Sequence, residues 1–324
     1  VLSLAKIVEA EGKEKGFKGK ELRDYMRDRG AGPAVESYDV PDDAYKDGGI
    51  TIRGIQQLER FKDESQPFFL ALGFLKPHLP FVAPKKYWDL YDRTSLSLAS
   101  FQKVPEGAPV CSLSDYVEAR TYGGVPKEGQ ISKATQRELI HGYLACVSYI
   151  DAQIGKLIAK LKETGLYEDT VIVLWGDHGF HLGDKHLFGK HTNYEEATRS
   201  PLIISNTGME SGTACDAPVN LIDIFPTLCE LTGLATPTRL DGVSLVPALK
   251  DANVNIQDYA SSLYPHNGYM GIAIRTKDFR YVAWYKGWKK TGWSGNRYRK
   301  EPEFVELYDY LRDPLETENF AGQT

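Results

Sequence analysis

The chain has no apolar run approaching the roughly 18 residues that a membrane-spanning helix needs, so no such helix is expected. Cysteine is scarce. Cys111, Cys146, Cys215 and Cys229 are the only four, and none stand close enough for a CxxC pair or a zinc-ligand spacing. Cysteine-based zinc modules and dithiol redox motifs are thereby excluded. Cys146 and Cys229 fall within apolar helical patterns and are expected as buried free thiols. Internal repeats and low-complexity linkers are absent, which excludes solenoid arrays. No large excess of one charge exists either: the net charge is −5, so the chain as a whole is no polyanion trap. No leader peptide is visible, because the sequence turns charged at Lys6. The first residue is Val1, so the natural amino terminus is expected upstream.

What is present is ordinary globular composition, 42% hydrophobic and 26% charged, with a length that fits two domains or one domain plus an appendage. The charge is uneven. Residues 275–300 hold nine Lys or Arg against one acid, Asp278, interleaved with Tyr281, Trp284, Tyr285, Trp288, Trp293 and Tyr298. Such a patch can attract a polyanion locally. Residues 51–64 read as an amphipathic helix with Ile52, Ile55, Leu58 and Phe61 on one side. Residues 67–74, PFFLALGF, read as a buried strand, which the prolines of KPHLPF break. Leu139, Tyr143, Cys146, Ile150, Ile154, Leu157 and Leu161 form one stripe of a long helix that Gly165 ends. The runs TVIVLW and PLIIS read as further buried strands, and residues 220–230 as a helix that Pro226 kinks or resets. Beyond Pro247 the texture becomes aromatic and strand-like, predicting a small antiparallel sheet. The domains expected are an α/β portion at 1–255 and an appended subdomain at 256–324.

The densest chemistry lies in GDHGFHLGDKHLFGK, residues 176–190. Asp177 and His178 leave the carboxyl end of a predicted strand, where open α/β sheets place their sites. An adjacent carboxylate and imidazole can hold a metal, and Gly176 and Gly179 allow tight backbone geometry. Lys190, near His181, His186 and His191, offers a compact ammonium to a sulfate or phosphate oxygen. Lys76 and His78 follow another predicted strand, and His78 can donate a proton near neutral pH. His141, on the polar side of the long helix, reads as a surface histidine. His266 is a candidate for a pocket rim.

Together the segments PFFLALGFLKPHLPF, GYLACVSYIDAQIGKL, TVIVLWGDHGFHLGDKHLFGKHTNYEEATRSPLII, NLIDIFPTLCELTGL and IRTKDFRYVAW resemble, in order, the type I sulfatases of the alkaline phosphatase superfamily, and among them the iduronate-2-sulfatase group. The resemblance implies an α/β fold with an alkaline-phosphatase-like sheet flanked by helices and a small C-terminal antiparallel sheet. It implies a sulfuric ester hydrolase acting on a sulfated sugar, such as a uronate 2-O-sulfate in a glycosaminoglycan or an algal polysaccharide. It implies one divalent cation, usually Ca2+, on Asp177 and His178. Lys190 would then hold the sulfate and His78 protonate the leaving alcohol, with Phe180 near the substrate and Arg275 structural or near the pocket; Lys76, beside His78, is a substrate-binding candidate with a structural or surface role as its alternative. A secreted, periplasmic or lysosomal location and no nucleic-acid partner go with it.

The family's nucleophile, a formylglycine made from Cys or Ser in a C/S-x-P-x-R motif, has no counterpart here: neither CSLSD at Cys111 nor CDAPV at Cys215 fits. The family's early Asp-Asp strand is also unmatched, because Asp42 and Asp43 follow no predicted buried strand. The nucleophile is therefore expected outside this sequence, with a separate N-terminal chain as one way of completing the site. Two alternatives stand beside the sulfatase: a phosphohydrolase or phosphonate hydrolase of the same superfamily, and a non-catalytic polyanion-binding fragment.

Overall fold

The computed structural model of the chain describes residues 4–28, 32–114, 117–207, 209, 212–287 and 301–322. They fall into two compact units, Val1–Ala99 with Val117–Glu168, and Ser100–Tyr116 with Asp169–Thr324.

The first unit contains helices α1 (Leu4–Glu14) and α2 (Gly19–Asp28), strand β1 (Val35–Tyr38), α3 (Lys46–Phe61), β2 (Phe81–Pro84), α4 (Lys85–Trp88) and the long α5 (Lys133–Glu163). Ser132 caps α5 by accepting the Thr135 amide at 3.1 Å. Gly165, at φ +76, ends it, and the Leu166 amide turns back to the Leu161 carbonyl at 3.0 Å. The buried face of α5 is offset from the apolar stripe. Leu139, Cys146, Leu157 and Leu161 are buried, but Tyr143, Ile150 and Ile154 are half-buried, while Tyr149 and Gln153 are fully inside.

That polar burial has a partner. The Tyr149 hydroxyl donates to the Asp42 carbonyl at 2.8 Å and accepts the Gly48 amide at 2.7 Å, and the Gln153 amide donates to the Asp42 carboxylate at 3.1 Å. Burial alone would raise the Asp42 carboxyl. Its bonds to Lys156 and Lys86 reverse this and hold it well below the ordinary range. Asp42 is thus committed to an ion cluster with two exposed lysines at the surface end of this network. α5 packs on α3 and β2. Gly142 permits that approach, since a Cβ there would lie 2.8 Å from Phe81 Cβ and 2.9 Å from the Trp88 ring.

Two expectations in this unit are corrected. His141 is buried: Nε2 faces the Trp88 carbonyl at 2.8 Å, and Nδ1 accepts from Arg93 Nε at 3.1 Å. The reason is that α4 packs across that side of α5. Residues 67–74 are extended, with side chains alternately half-buried and exposed, and Phe69 is 83% exposed. They have no ladder partner among the described residues, so no strand forms there. The strands that do form, β1 and β2, are short and parallel, with Val35 opposite Phe81.

The second unit contains β3 (Ile172–Trp175), β4 (His181–Leu182), β5 (Phe188–Gly189), α6 (Glu195–Thr198), β6 (Leu202–Ser205), α7 (Ile224–Leu231), α8 (Val246–Lys250), β7 (Ala260–His266), β8 (Tyr269–Arg275), β9 (Phe279–Lys286) and β10 (Phe304–Asp309). The runs TVIVLW and PLIIS become β3 and β6, paired antiparallel, but they are less buried than expected, with Trp175 and Ile203 about half exposed. Asn220 and Asp223 form a capping box ahead of α7, so Pro226 falls in its first turn, where its missing N–H costs no helical bond. β7 to β10 form an antiparallel meander in the order β10-β9-β8-β7. The expected 255/256 boundary lies within this unit, just before β7. Cys111, Ala273, Val282 and Trp284 pack together on the sheet.

His266 stands on β7, stacked on Tyr264, with Nδ1 facing the Cys111 carbonyl at 3.1 Å. Of the basic–aromatic stretch, residues 288–300 lie outside the described residues. Within the described part, Arg275, Arg280 and Lys286 pair with Glu195, Glu316 and Glu303. Among the described residues no helix is long and apolar enough to cross a membrane.

Cys111, Cys146 and Cys229 are buried and Cys215 is exposed, all as free thiols. Burial pushes the Cys111 and Cys146 thiols up to about 12. Titration with an aromatic disulfide reagent should therefore find one fast thiol in the native protein, lost in Cys215→Ser, and four after denaturation. Three or more fast native thiols would contradict this packing.

Candidate active site

β4 and β5 form a short hairpin with His181 opposite Gly189 and Leu182 opposite Phe188. Asp177, His178 and Phe180 precede β4 in the chain and Lys190 follows β5 directly, so the chain enters the hairpin from the first three and leaves it at Lys190. The segment 176–179 is held against its surroundings by backbone bonds: the Gly176 amide to the Pro201 carbonyl at 3.0 Å, and the Gly179 amide to the Ala197 carbonyl at 2.8 Å. Gly179 is required by close approach. A Cβ there would lie 2.1 Å from the Glu196 carbonyl oxygen and 2.7 Å from that of Arg199, both backbone atoms.

The Asp177 side chain is 86% exposed and that of His178 about one-third exposed. His178 Nδ1 lies 2.7 Å from the Gly179 carbonyl, so this nitrogen donates and carries the proton. Nε2 is the nitrogen left to face outward, and it stands 3.6 Å from Asp177 Oδ2. A carbonyl-oriented imidazole beside a carboxylate oxygen is an arrangement found at metal sites. Two donors at that separation can share one divalent cation. They fit as part of a set, because calcium takes six to eight oxygen ligands. Lys190 follows β5 and is half-buried, and its carbonyl accepts the Thr192 amide at 3.0 Å. Phe180, immediately before β4, is half-buried.

Behind the hairpin lies a network that sequence reading missed. His181 is fully buried, bonded to Asp184 through Nδ1 and to the Thr192 hydroxyl through Nε2 at 2.8 Å. His181, Asp184 and Glu196 bring potential ligand atoms within 4.8 Å of one another. The Lys185 ammonium already sits 3.1 Å from both Glu196 oxygens, so this cluster contains a cation of its own. Burial and the neighbouring Asp184 raise the Glu196 carboxyl, against the pull of Lys185. Arg275 is engaged by the neighbouring acid of α6. Its guanidinium forms a two-toothed pair with Glu195 at 2.8 and 3.1 Å and lies over the Tyr310 ring at 3.8 Å. The sequence left it as structural or near the pocket, and here it braces α6 through Glu195.

Lys76 and His78 belong to the first unit. The Lys76 ammonium turns onto its own loop and donates to the carbonyls of His78 at 2.8 Å and Pro80 at 2.7 Å. Burial lowers its pKa. His78 is half-exposed, with Nδ1 donating to the Leu79 carbonyl at 2.6 Å and Nε2 3.5 Å from the Glu118 carboxylate. The buried Asp47 of α3 receives the Leu75 amide at 2.7 Å and the Lys76 amide at 3.3 Å, fixing the start of this loop. No sequence signal marked Asp47 or Glu118, which are distant in the chain from His78.

Comparison with known proteins now bears on this arrangement. The sulfatase family profile matches residues 7–234. The chain belongs to the sulfatase family. A second profile, the C-terminal region of N-sulphoglucosamine sulphohydrolase, matches residues 183–324. A sulfatase of Formosa agariphila is 35% identical, over 82% of this chain and 48% of its own length. Human iduronate 2-sulfatase is 29% identical, over 90% of this chain and 64% of its own length. The chain thus spans about half to two-thirds of the curated relatives it matches. Among solved structures, a protein in complex with its substrate D-glucosamine-2-N,6-O-disulfate superposes with a TM-score of 0.70 at 23% identity, covering 86% of this chain and 66% of that one. A phosphonate monoester hydrolase from Silicibacter pomeroyi gives 0.68 at 26% identity, covering 88% and 57%. The sulfatase fold, an alkaline-phosphatase-like α/β architecture with a small C-terminal antiparallel sheet, is the one seen in this chain.

Gly179→Ala should lower stability by about 1–3 kcal/mol, because neither backbone carbonyl can move aside. Urea denaturation of the two proteins measures this. An unchanged midpoint would mean that the 176–179 segment is not held as described.

Proposed function

We propose that this chain carries part of the active site of a sulfatase that hydrolyses sulfate esters of a sulfated sugar, with a uronate 2-O-sulfate in a glycosaminoglycan or algal polysaccharide as the leading substrate class. The observation that carries the reading is the β4–β5 hairpin, entered from Asp177 and His178 and left at Lys190, in a chain of the sulfatase family. Human iduronate 2-sulfatase and an ulvan-active sulfatase among its relatives support the choice of substrate class.

In this reading Lys190 neutralises a sulfate oxygen. A compact ammonium suits the task, because charge on the ester's oxygens redistributes as the S–O bond breaks. His78 supplies a proton to the departing sugar oxygen, and its ring is oriented by the Leu79 carbonyl. The Lys76 ammonium, turned onto the His78 and Pro80 carbonyls, stiffens the loop that presents His78. Phe180 offers an apolar wall beside Lys190. Asp177 and His178 would hold a divalent cation, which when bound polarises the ester oxygens. The formylglycine nucleophile comes from a Cys or Ser outside these 324 residues, and the saccharide is the partner that the site receives.

A second reading, hydrolysis of a phosphonate or phosphate ester, is favoured by the likeness to the phosphonate monoester hydrolase. One assay separates the two. The complete gene product, produced with the formylglycine-generating enzyme, is incubated with 2-O-sulfated glycosaminoglycans, a sulfated algal polysaccharide and an aryl phosphonate monoester, and released anions are measured by ion chromatography. Sulfate release should dominate and fall about 10²–10³-fold in Lys190→Ala. Dominant release of the phosphonate would establish the second reading, and release of neither would overturn both.

A further inference from the structure

The turn of the β4–β5 hairpin is built on an unfavourable backbone. Lys185 has φ +50 and His186 φ +61, a region that side-chain-bearing residues avoid. Glu316, 131 positions further on, is also left-handed at φ +55. Lys185 and Glu316 are both buried, at 2% and 1% exposure, and they face each other with Nζ 3.6 Å from Oε2. The ammonium also meets both oxygens of Glu196 at 3.1 Å and the Leu315 carbonyl at 3.3 Å, and it lies 4.8 Å from the centre of the Tyr194 ring.

Glu316 is the hub. Its Oε1 accepts from Arg280 Nε of β9 and from the Tyr310 hydroxyl, both at 2.6 Å, and its Oε2 accepts the Glu195 amide at 3.2 Å. Burial alone would raise this carboxyl, but the Arg280 and Lys185 charges outweigh it and hold it below the ordinary range. The segment carrying Glu316 is itself tied down. The Glu106 amide bonds the Thr317 carbonyl and the Asn319 amide bonds the Glu106 carbonyl, each at 2.8 Å. The other end of the connection is equally direct. The Lys185 amide bonds the Phe101 carbonyl at 3.1 Å, and the turn is closed by Gly183 to Leu187 and Leu187 to Asp184 at 2.8 Å. Five residues after Lys185 comes Lys190.

Stability alone does not call for this arrangement. A buried ion cluster is often no more stable than apolar packing of the same volume, and glycine would relieve the left-handed backbone at either position. What the pair does provide is location: it fastens the hairpin turn to the C-terminal segment at one fixed register. We propose that Lys185 and Glu316 form a latch that sets the β4–β5 hairpin and thereby positions Lys190 for the ester's anionic head. Both are positioning residues, acting through Lys190. The functional half of the inference rests on the reading of Lys190 given above, whereas the structural half does not.

The test uses the complete gene product with Lys185→Met, Lys185→Gly, Lys185→Arg and Glu316→Gln, read in two ways. Hydrogen exchange without substrate should show the amides of residues 182–192 exchanging about tenfold faster or more in Lys185→Met, with β7 to β9 unchanged, and in Glu316→Gln, with β7 and β8 unchanged while β9, which loses the partner of Arg280, loosens with the hairpin. Lys185→Arg should restore most of the protection, and Lys185→Gly, which relieves the backbone but lacks the charge, should not. In sulfate release, Lys185→Met should lose about 10- to 100-fold in kcat/KM, with arginine recovering most of it. Should Lys185→Met fail to fold, Glu316→Gln, a near-isosteric change, gives the same two readings. Unchanged hairpin exchange, a rise spread over the whole unit, or full protection in Lys185→Gly would each overturn the latch. Local exchange changes in a protein that releases no sulfate would leave the latch standing and remove the sulfatase reading instead.

Discussion

An ammonium shut away from water has to be met by carboxylates, and Lys185 is met by Glu196 and Glu316. From that requirement much of the second unit follows. Glu316 must lie beside the hairpin turn, so the C-terminal segment is drawn along it. Arg280 must lie on the other side of Glu316 to balance the charge, which brings β9 to the same place. Arg275 and Tyr310 then close on Glu195. The aromatic rings of Tyr194 and Tyr308 line the Arg280 guanidinium at 4.7 and 4.5 Å, so the cluster is walled by π-faces as well as by carboxylates. The appended sheet is in this sense part of the hairpin's foundation.

The foundation carries a light structure. The hairpin has two ladder pairs, and the 176–179 segment depends on backbone bonds at Gly176 and Gly179. The proposed function would ask more of this region than its own hydrogen bonds could enforce, because a lysine meant to hold an anion and two residues meant to hold a cation would lose their use when displaced by about 1 Å. The rigid partners behind them supply the precision. In the first unit the same logic recurs in smaller form. Asp47 anchors the start of the His78 loop, and Lys76 folds onto the loop's carbonyls.

The long helix, its Gly165 terminus, the paired runs at 172–175 and 202–205, and the aromatic C-terminal strands were all legible in the sequence, because periodicity and turn residues are local signals. The failures were of another kind. PFFLALGF has the composition of a central strand, but a strand exists only when neighbours bond it, and within the described residues none do. His141 read as exposed because its cover, α4, is distant in sequence. In the candidate site, the adjacency of Asp177 and His178 could be read directly, and the segment between them and Lys190 folds as one short hairpin. Lys185, Glu196 and Glu316 could not. Glu316 reaches Lys185 only through a chain reversal spanning more than a hundred residues, and a lone buried lysine is indistinguishable in sequence from a solvated one. Arg275 shows the limit from the opposite side: its place was noticed, but its partner, Glu195, was invisible until the sheet and α6 were seen in contact.

The central claim is that the open end of the β4–β5 hairpin is one cation-and-anion site, with Asp177 and His178 on one strand's approach and Lys190 on the other's exit. Paramagnetic broadening by Mn2+ in isotope-labelled protein tests it most directly. The amide signals of residues 177–180 and 189–191 should broaden together at low Mn2+ and stay sharp in Asp177→Ala. Broadening centred instead on His181, Asp184 and Glu196, or broadening that persists in Asp177→Ala, would contradict the account.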